Sequence, residues 1–314
     1  MGSKWQRVLL VIAAVLLSYL VVTTGASIWL GEQTVHLARN PVPATSAFES
    51  MIASIPHQLL ADVSVKAHDG ATLRGWFVEP SSWKGASVLL LHGVGDNRTG
   101  VTGYAAMFLN AGYAVLLPDS RAHGLSGGDL ATYGVLERED VHEWLRWLRE
   151  RSGGCEYLFG ESMGAAIALQ AAAKRDTVCA VAVESSFASF REMAYDRVSQ
   201  WTGLSLNTSR VIGRPVIDMA LLYIRARYGV DLTKASPEEA LNESSAPILI
   251  IADNADHNIP PRQASMLVRS VKPEDAVWVV AGADHCDAAA VAHQEFQRRV
   301  LHWFASHNSP PHLS

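Results

Sequence analysis

The chain has 314 residues, 49% of them hydrophobic, enough apolar material for one large core or two modest ones. A net charge of -5 gives no electrostatic reason to expect nucleic acid or an acidic surface as partner. Three cysteines argue against a disulfide-built scaffold and match no zinc spacing, and no P-loop or strand-following G-x-G-x-x-G offers a phosphate cradle.

From Val8 to Leu30 the chain carries no charge. As a helix this stretch would reach ~34 Å, enough to cross a bilayer. Lys4 and Arg7 precede it, whereas Glu32, His36 and Arg39 follow, so the positive-inside bias sets the N-terminus in the cytoplasm and the body outside it. A cleaved signal peptide, ending near Thr24-Gly25-Ala26, is the rival; the length of the run favours a retained single-pass anchor over residues 1–31. Residues 32–60 read as a connector broken by Pro41 and Pro43, and the catalytic body as residues 61–314.

Within that body, Val63–Lys66 and Thr72–Val78 alternate around Asp69-Gly70 as a hairpin. Wholly apolar runs at Val88–Leu91, Tyr113–Leu117, Tyr157–Phe159, Cys179–Val183, Ile248–Ile251 and Val277–Val280 read as strands buried on both faces. Helical stretches lie between them. Residues 100–111 are one; Val141, Trp144, Leu145 and Leu148 mark another that ends at Gly153-Gly154, and Phe296, Val300 and Phe304 mark the last. This alternation predicts an α/β, mostly parallel, doubly wound sheet. About sixty residues between Val183 and Ile248 exceed any ordinary connection, and residues 185–246 read as an inserted helical lid. Its apolar content, with Val216–Tyr228 helical and Trp201, Leu204 and Leu206 at least half-exposed, points to a hydrophobic acyl substrate.

Gly160-Glu161-Ser162-Met163-Gly164 falls between a predicted strand and the small-residue helix Ala165–Leu169, the setting of a nucleophile elbow. Glycines flanking Ser162 permit the sharp turn that exposes its hydroxyl at the strand end. Acyl transfer by serine further needs a base, an acid and oxyanion donors. His285, in the small-residue loop after the last strand, is the candidate base. His92 and His123 also follow strands, but each precedes a glycine and the serine; His293, His302, His307 and His312 belong to the solvated C-terminal end. Asp256, in the loop after the Ile248 strand, is the candidate acid, Glu184 is next, and Asp253 reads as a turn support. The oxyanion donors are expected to be the backbone amides of Met163 and of Val94, which stands between Gly93 and Gly95.

The segment from Ala61 to Ala305 resembles α/β-hydrolases of the type that includes Bem46-like and dienelactone-hydrolase-like serine hydrolases. Four motifs carry the resemblance: His92-Gly93-Val94-Gly95; Asp119-Ser120-Arg121-Ala122-His123-Gly124 with Ser126-Gly127; Gly160–Gly164; and the loops of Asp256 and His285. It implies an α/β-hydrolase fold and hydrolysis of a carboxylic ester, thioester or amide without metal or organic cofactor. It also implies that Arg121 and His123 shape the site without joining the triad. Asp253 departs from the His-Gly often found before the acid loop.

Cys286 reads as a packing residue. Cys155 and Cys179 open adjacent strands; an extracytoplasmic body would permit a disulfide between them, but parallel-sheet geometry is poor for that bond. The expected activity is that of a membrane-anchored serine hydrolase acting on an apolar ester or acyl substrate through Ser162, His285 and Asp256. The alternatives are an acyltransferase or peptidase with the same triad, or a non-catalytic binding member of the fold.

Overall fold

A computed structural model describes residues 2–173 and 178–309. Helix α1 (Gly2–Val35) and a short α2 (Thr45–Ile52) precede the hairpin of β1 (His57–Lys66) and β2 (Thr72–Pro80). The chain continues through β3 (Ser87–Leu91), α3 (Thr102–Asn110), β4 (Ala114–Pro118), α4 (Glu137–Arg149), β5 (Glu156–Glu161), α5 (Met163–Ala171) and β6 (Ala180–Glu184). An insertion then contributes α6 (Phe190–Thr202), α7 (Leu206–Tyr228) and α8 (Pro237–Glu243). The body closes with β7 (Ile248–Asp253), α9 (Pro261–Leu267), β8 (Ala276–Val280), α10 (Ala288–Val291) and α11 (His293–Ser306).

The strands form one eight-stranded sheet in the order β1-β2-β4-β3-β5-β6-β7-β8, antiparallel at the first two pairings and parallel at the others. Continuous apolar runs are what such strands need, because successive side chains enter opposite cores. Val88, Leu90, Tyr157 and Phe159 join α3 and α11 on one face. Leu89, Leu91, Leu158 and Ile250 meet α4, α5, α8 and α9 on the other. The expected doubly wound α/β sheet is therefore present.

Several details differ from the sequence expectation. Strand β8 is an edge strand with only Val280 buried, so its apolar run serves one face rather than two. The stretch expected to be a connector includes the end of α1, all of α2 and the start of β1. Helix α7 begins ten residues before Val216 and contains Pro215. Cys155 and Cys179 form a disulfide, with Cα atoms 5.6 Å apart. The β5–β6 ladder opens at Tyr157 and Ala180, two residues after Cys155 and one after Cys179, and at this staggered open end the Cα separation falls within the range a disulfide needs.

The N-terminal helix is built into the body at its C-terminal end. Lys4–Val22 is exposed throughout, but Thr23, Ser27, Gly31 and Val35 are buried at four-residue spacing, which is one helical face. Ser27 Oγ lies 3.0 Å from the Val216 carbonyl oxygen, Tyr223 and Tyr228 donate hydrogen bonds to Glu32, and the Tyr133 hydroxyl donates to the Thr34 carbonyl. Helix α1 thus docks along α7.

Candidate active site

The site sits at the C-terminal ends of the parallel strands, where β5 turns into α5. Ser162 occupies that turn with φ 52° and ψ -117°, a backbone conformation that L-residues adopt only when their surroundings impose it. Its amide is held by the Glu184 carbonyl at 2.9 Å. The flanking glycines are required by close approach: a Cβ on Gly160 would strike the Gly164 carbonyl, and one on Gly164 would strike the Leu91 carbonyl. Helix α5 can therefore press against β3 and β5 with its N-terminus beneath the serine.

The loops after β7 and β8 are laced together. Asn254 donates to Val280, Ala255 to Ala283, and His257 to the Asp284 carboxylate. This lacing brings the His285 and Asp256 side chains together and both to Ser162. His285 Nε2 lies 2.9 Å from Ser162 Oγ, and His285 Nδ1 lies 2.8 Å from Asp256 Oδ2. Asp256 Oδ1 accepts the amides of Asn258 and Ile259 at 2.8 and 2.7 Å, which fixes the carboxylate. With Oδ2 accepting the Nδ1 proton, the Nε2 lone pair faces the serine hydroxyl. Asp256 and Ser162 are buried, and the His285 side chain is 20% exposed.

The other sequence candidates have other partners. Glu184 Oε1 accepts the Ala288 amide and Oε2 meets the Tyr104 hydroxyl, while Asp253 accepts from Ser185; neither carboxylate bonds to His285. His92 Nε2 accepts the Ser120 amide and its Nδ1 meets the Gly93 carbonyl; burial and neighbouring His123 push its pKa down to about 4. His123 Nε2 accepts the Gly95 amide, and burial lowers its pKa as well. Both imidazoles are therefore neutral braces for their loops. Arg121 is engaged by both oxygens of Asp140 and by Asp69. His293 and His302 lie on α11, the His307 ring meets the Trp303 carbonyl, and His312 lies outside the described residues.

Val94 and Met163 line the same cavity as Ser162. Met163 is the first residue of α5, where the helix itself offers its amide no acceptor. The Gly93–Gly95 turn is held by His123 and by Asn40, whose amide donates to the Gly95 carbonyl. Gly93 approaches the serine closely, since a Cβ there would lie 3.5 Å from Ser162 Cβ. Val94 and Met163 thus both border the space beside Ser162.

That cavity has a volume of about 370 Å³ and a largely apolar wall. Phe187, Phe190 and Met193 come from the insertion's first segment, Ile217, Leu221 and Ile224 from α7, and Trp29 and Leu30 from α1. Arg197, bonded to Gln200 and Asn258, brings one guanidinium to the wall. The contribution of α1 has a sequence signal, the four-residue spacing of Thr23, Ser27 and Gly31, but nothing in that signal names the cavity.

A buried acidic cluster behind the serine also escaped the sequence reading. The Tyr104 hydroxyl lies 3.1 Å from Glu161 Oε2 and 3.2 Å from Glu184 Oε2. One hydroxyl proton serves two carboxyl groups here, an arrangement that favours a proton on one of them. Burial acts in that direction, pushing Glu161 up to about 7 and Glu184 up to about 8. Only Glu161, the residue before the serine, was a sequence neighbour; Tyr104 and Glu184 arrive from α3 and β6.

A model of the alpha/beta hydrolase family matches residues 88–296. An uncharacterized protein of Mycobacterium tuberculosis is 26% identical over 293 residues, covering 91% of each chain. The thermostable monoacylglycerol lipase of a Bacillus species is 23% identical over 240 residues, 70% of this chain and 90% of the lipase. Among solved structures, an esterase of Pyrococcus furiosus superposes with a TM-score of 0.68 at 20% identity, covering 88% of this chain and 99% of the esterase. At that identity the likeness shows the fold.

Proposed function

Since this chain belongs to the alpha/beta hydrolase family, we propose that it is a membrane-anchored serine hydrolase cleaving a carboxylic ester of an apolar acyl group. The observation that carries the proposal is the continuous hydrogen-bonded line from Ser162 Oγ through His285 to Asp256, opening on an apolar cavity. The monoacylglycerol lipase among the similar proteins supports an ester over a thioester or amide.

In this reading Ser162 Oγ attacks the acyl carbon while His285 Nε2 takes the hydroxyl proton. Asp256 holds the ring and stabilises the imidazolium. The carbonyl oxygen becomes an oxyanion and receives the amides of Val94 and Met163. His285 returns its proton to the leaving alcohol as the ester C–O bond breaks, leaving an acyl-Ser162. Water then attacks the acyl carbon, gives its proton to Nε2, and releases the acid as the proton passes back to Ser162. Helices α6 and α7 serve as the lid over the acyl group.

Helix α1 supports a single-pass anchor: its uncharged run Val8–Leu30 would reach ~34 Å, against a ~30 Å hydrocarbon core of a bilayer, and the part from Val8 to Val22 is exposed throughout. The Cys155–Cys179 disulfide supports an oxidising, extracytoplasmic setting for the body. The test is hydrolysis of p-nitrophenyl esters of increasing chain length by the full chain in detergent. Preference for longer acyl chains, lost in Ser162→Ala, is expected; equal rates in wild type and variant would refute the proposal.

A further inference from the structure

Helix α1 does more than hold the body near a bilayer. Its buried face packs on α7, and the adjoining Trp29, Leu30, Gln33 and Thr34 form one wall of the cavity that holds Ser162. The two helices run parallel, since Ser27 meets Val216, Gly31 meets Tyr223, and Glu32 meets Tyr223 and Tyr228. Four or five residues back from Val216 along α7 come Ile212 and Val211, a shift of ~6–8 Å. The same step back from Ser27 along α1 reaches Thr23 and Val22, where the uninterrupted exposed apolar run begins. Ile212 is 52% exposed and Val211 75%. Beside them, at the turn between α6 and α7, Trp201 is 67% and Leu204 39% exposed.

A soluble protein seldom leaves such a group of large apolar side chains in water. Here the group stands at the depth at which α1 would enter the hydrocarbon, and Trp201 also lines the cavity. We infer that the tip of the α6–α7 hairpin inserts into the bilayer surface beside α1, and that the substrate is an acyl lipid resident in that bilayer. The lipid passes between Trp201 and Trp29 to reach Ser162. The occupant is a lipid surface rather than a protein partner because the patch is continuous with the one described helix long and apolar enough to span a membrane. The substrate class rests on the serine-hydrolase reading; the insertion of the hairpin does not.

Two measurements separate them. The full chain carrying Val211→Cys is labelled with an environment-sensitive fluorophore and reconstituted in phosphatidylcholine vesicles doped with a doxyl-labelled lipid. The wild type, whose free thiol Cys286 is mostly covered, is the labelling blank. Glu274→Cys, on the exposed turn before β8 at the opposite edge of the sheet, is the control. Quenching at 211 well above that at 274 is expected; equal quenching at both overturns the insertion. In the second measurement, Val211→Asp combined with Ile212→Asp should reduce hydrolysis of monooleoylglycerol in vesicles about tenfold or more. Its rate on water-soluble p-nitrophenyl acetate should stay at the wild-type level. Unchanged rates on both substrates overturn the inference. If the wild type hydrolyses neither, the serine-hydrolase reading and the substrate class fall together, and quenching alone decides the insertion. If the double variant does not fold, the quenching result likewise stands by itself.

Discussion

Asp256 Oδ2 lies 2.8 Å from His285 Nδ1, and its other oxygen is held by the amides of Asn258 and Ile259. The carboxylate is thus anchored on one side and committed to the imidazole on the other. Asp256→Asn would keep the shape but can present an N–H to Nδ1, turning the ring to the tautomer whose Nε2 carries a proton toward Ser162. The expected result is a fall in kcat of about a thousandfold to ten-thousandfold with little change in KM, read from steady-state ester hydrolysis.

The buried carboxyl groups of Glu161 and Glu184, both shifted upward by burial, link stability to pH. Burial raises the pKa of Glu184 from its ordinary 4.5 to about 8, so the folded state holds a proton that the unfolded chain releases. Stability from this group is full below the unfolded value and is lost as pH rises through the folded one. Urea melts between about pH 5 and pH 8 should show falling stability in the wild type. Glu184→Gln, which cannot ionise, should flatten that slope; parallel slopes would exclude the linkage.

Glycine at position 164 is required by space rather than by turn geometry. Gly164→Ala should lose about 3 kcal/mol of unfolding free energy or fail to fold, because β3 lies against the new methyl group. Gly153→Ala, where a Cβ meets nothing, should stay within about 0.5 kcal/mol of wild type. Denaturant titration of the two variants side by side measures the contrast.

The disulfide closes a loop between residues 24 apart. Replacing Cys155 and Cys179 together by serine should lower the unfolding free energy by about 3 kcal/mol while leaving ester hydrolysis intact at room temperature. A variant as stable as the wild type would contradict a structural role for the bond.

The parallel sheet was legible because each of its buried strands must be apolar on both faces, and Val88–Leu91 and Ile248–Ile251 can be little else. The Ser162, Asp256 and His285 neighbourhood was legible for a related reason: loops after parallel strands converge on one edge, so position along the chain reports position in space. Contacts that depend on register were not. Tyr104 reaches Glu161 and Glu184 only after α3 has packed on the sheet, and α1 joins the cavity only through its parallel docking on α7. The disulfide was disfavoured because the cysteines were taken to open paired strands, whereas the ladder opens only at Tyr157 and Ala180, a boundary that composition does not mark.

The central claim is that Ser162 is a nucleophile poised by His285. It is tested most directly by treating the folded full-length protein with a fluorophosphonate probe and locating the adduct by peptide mass spectrometry. The account predicts one adduct, on Ser162, that is absent from Ser162→Ala and strongly slowed in His285→Ala. A folded wild type that takes no label, or labelling that survives Ser162→Ala unchanged, would contradict it.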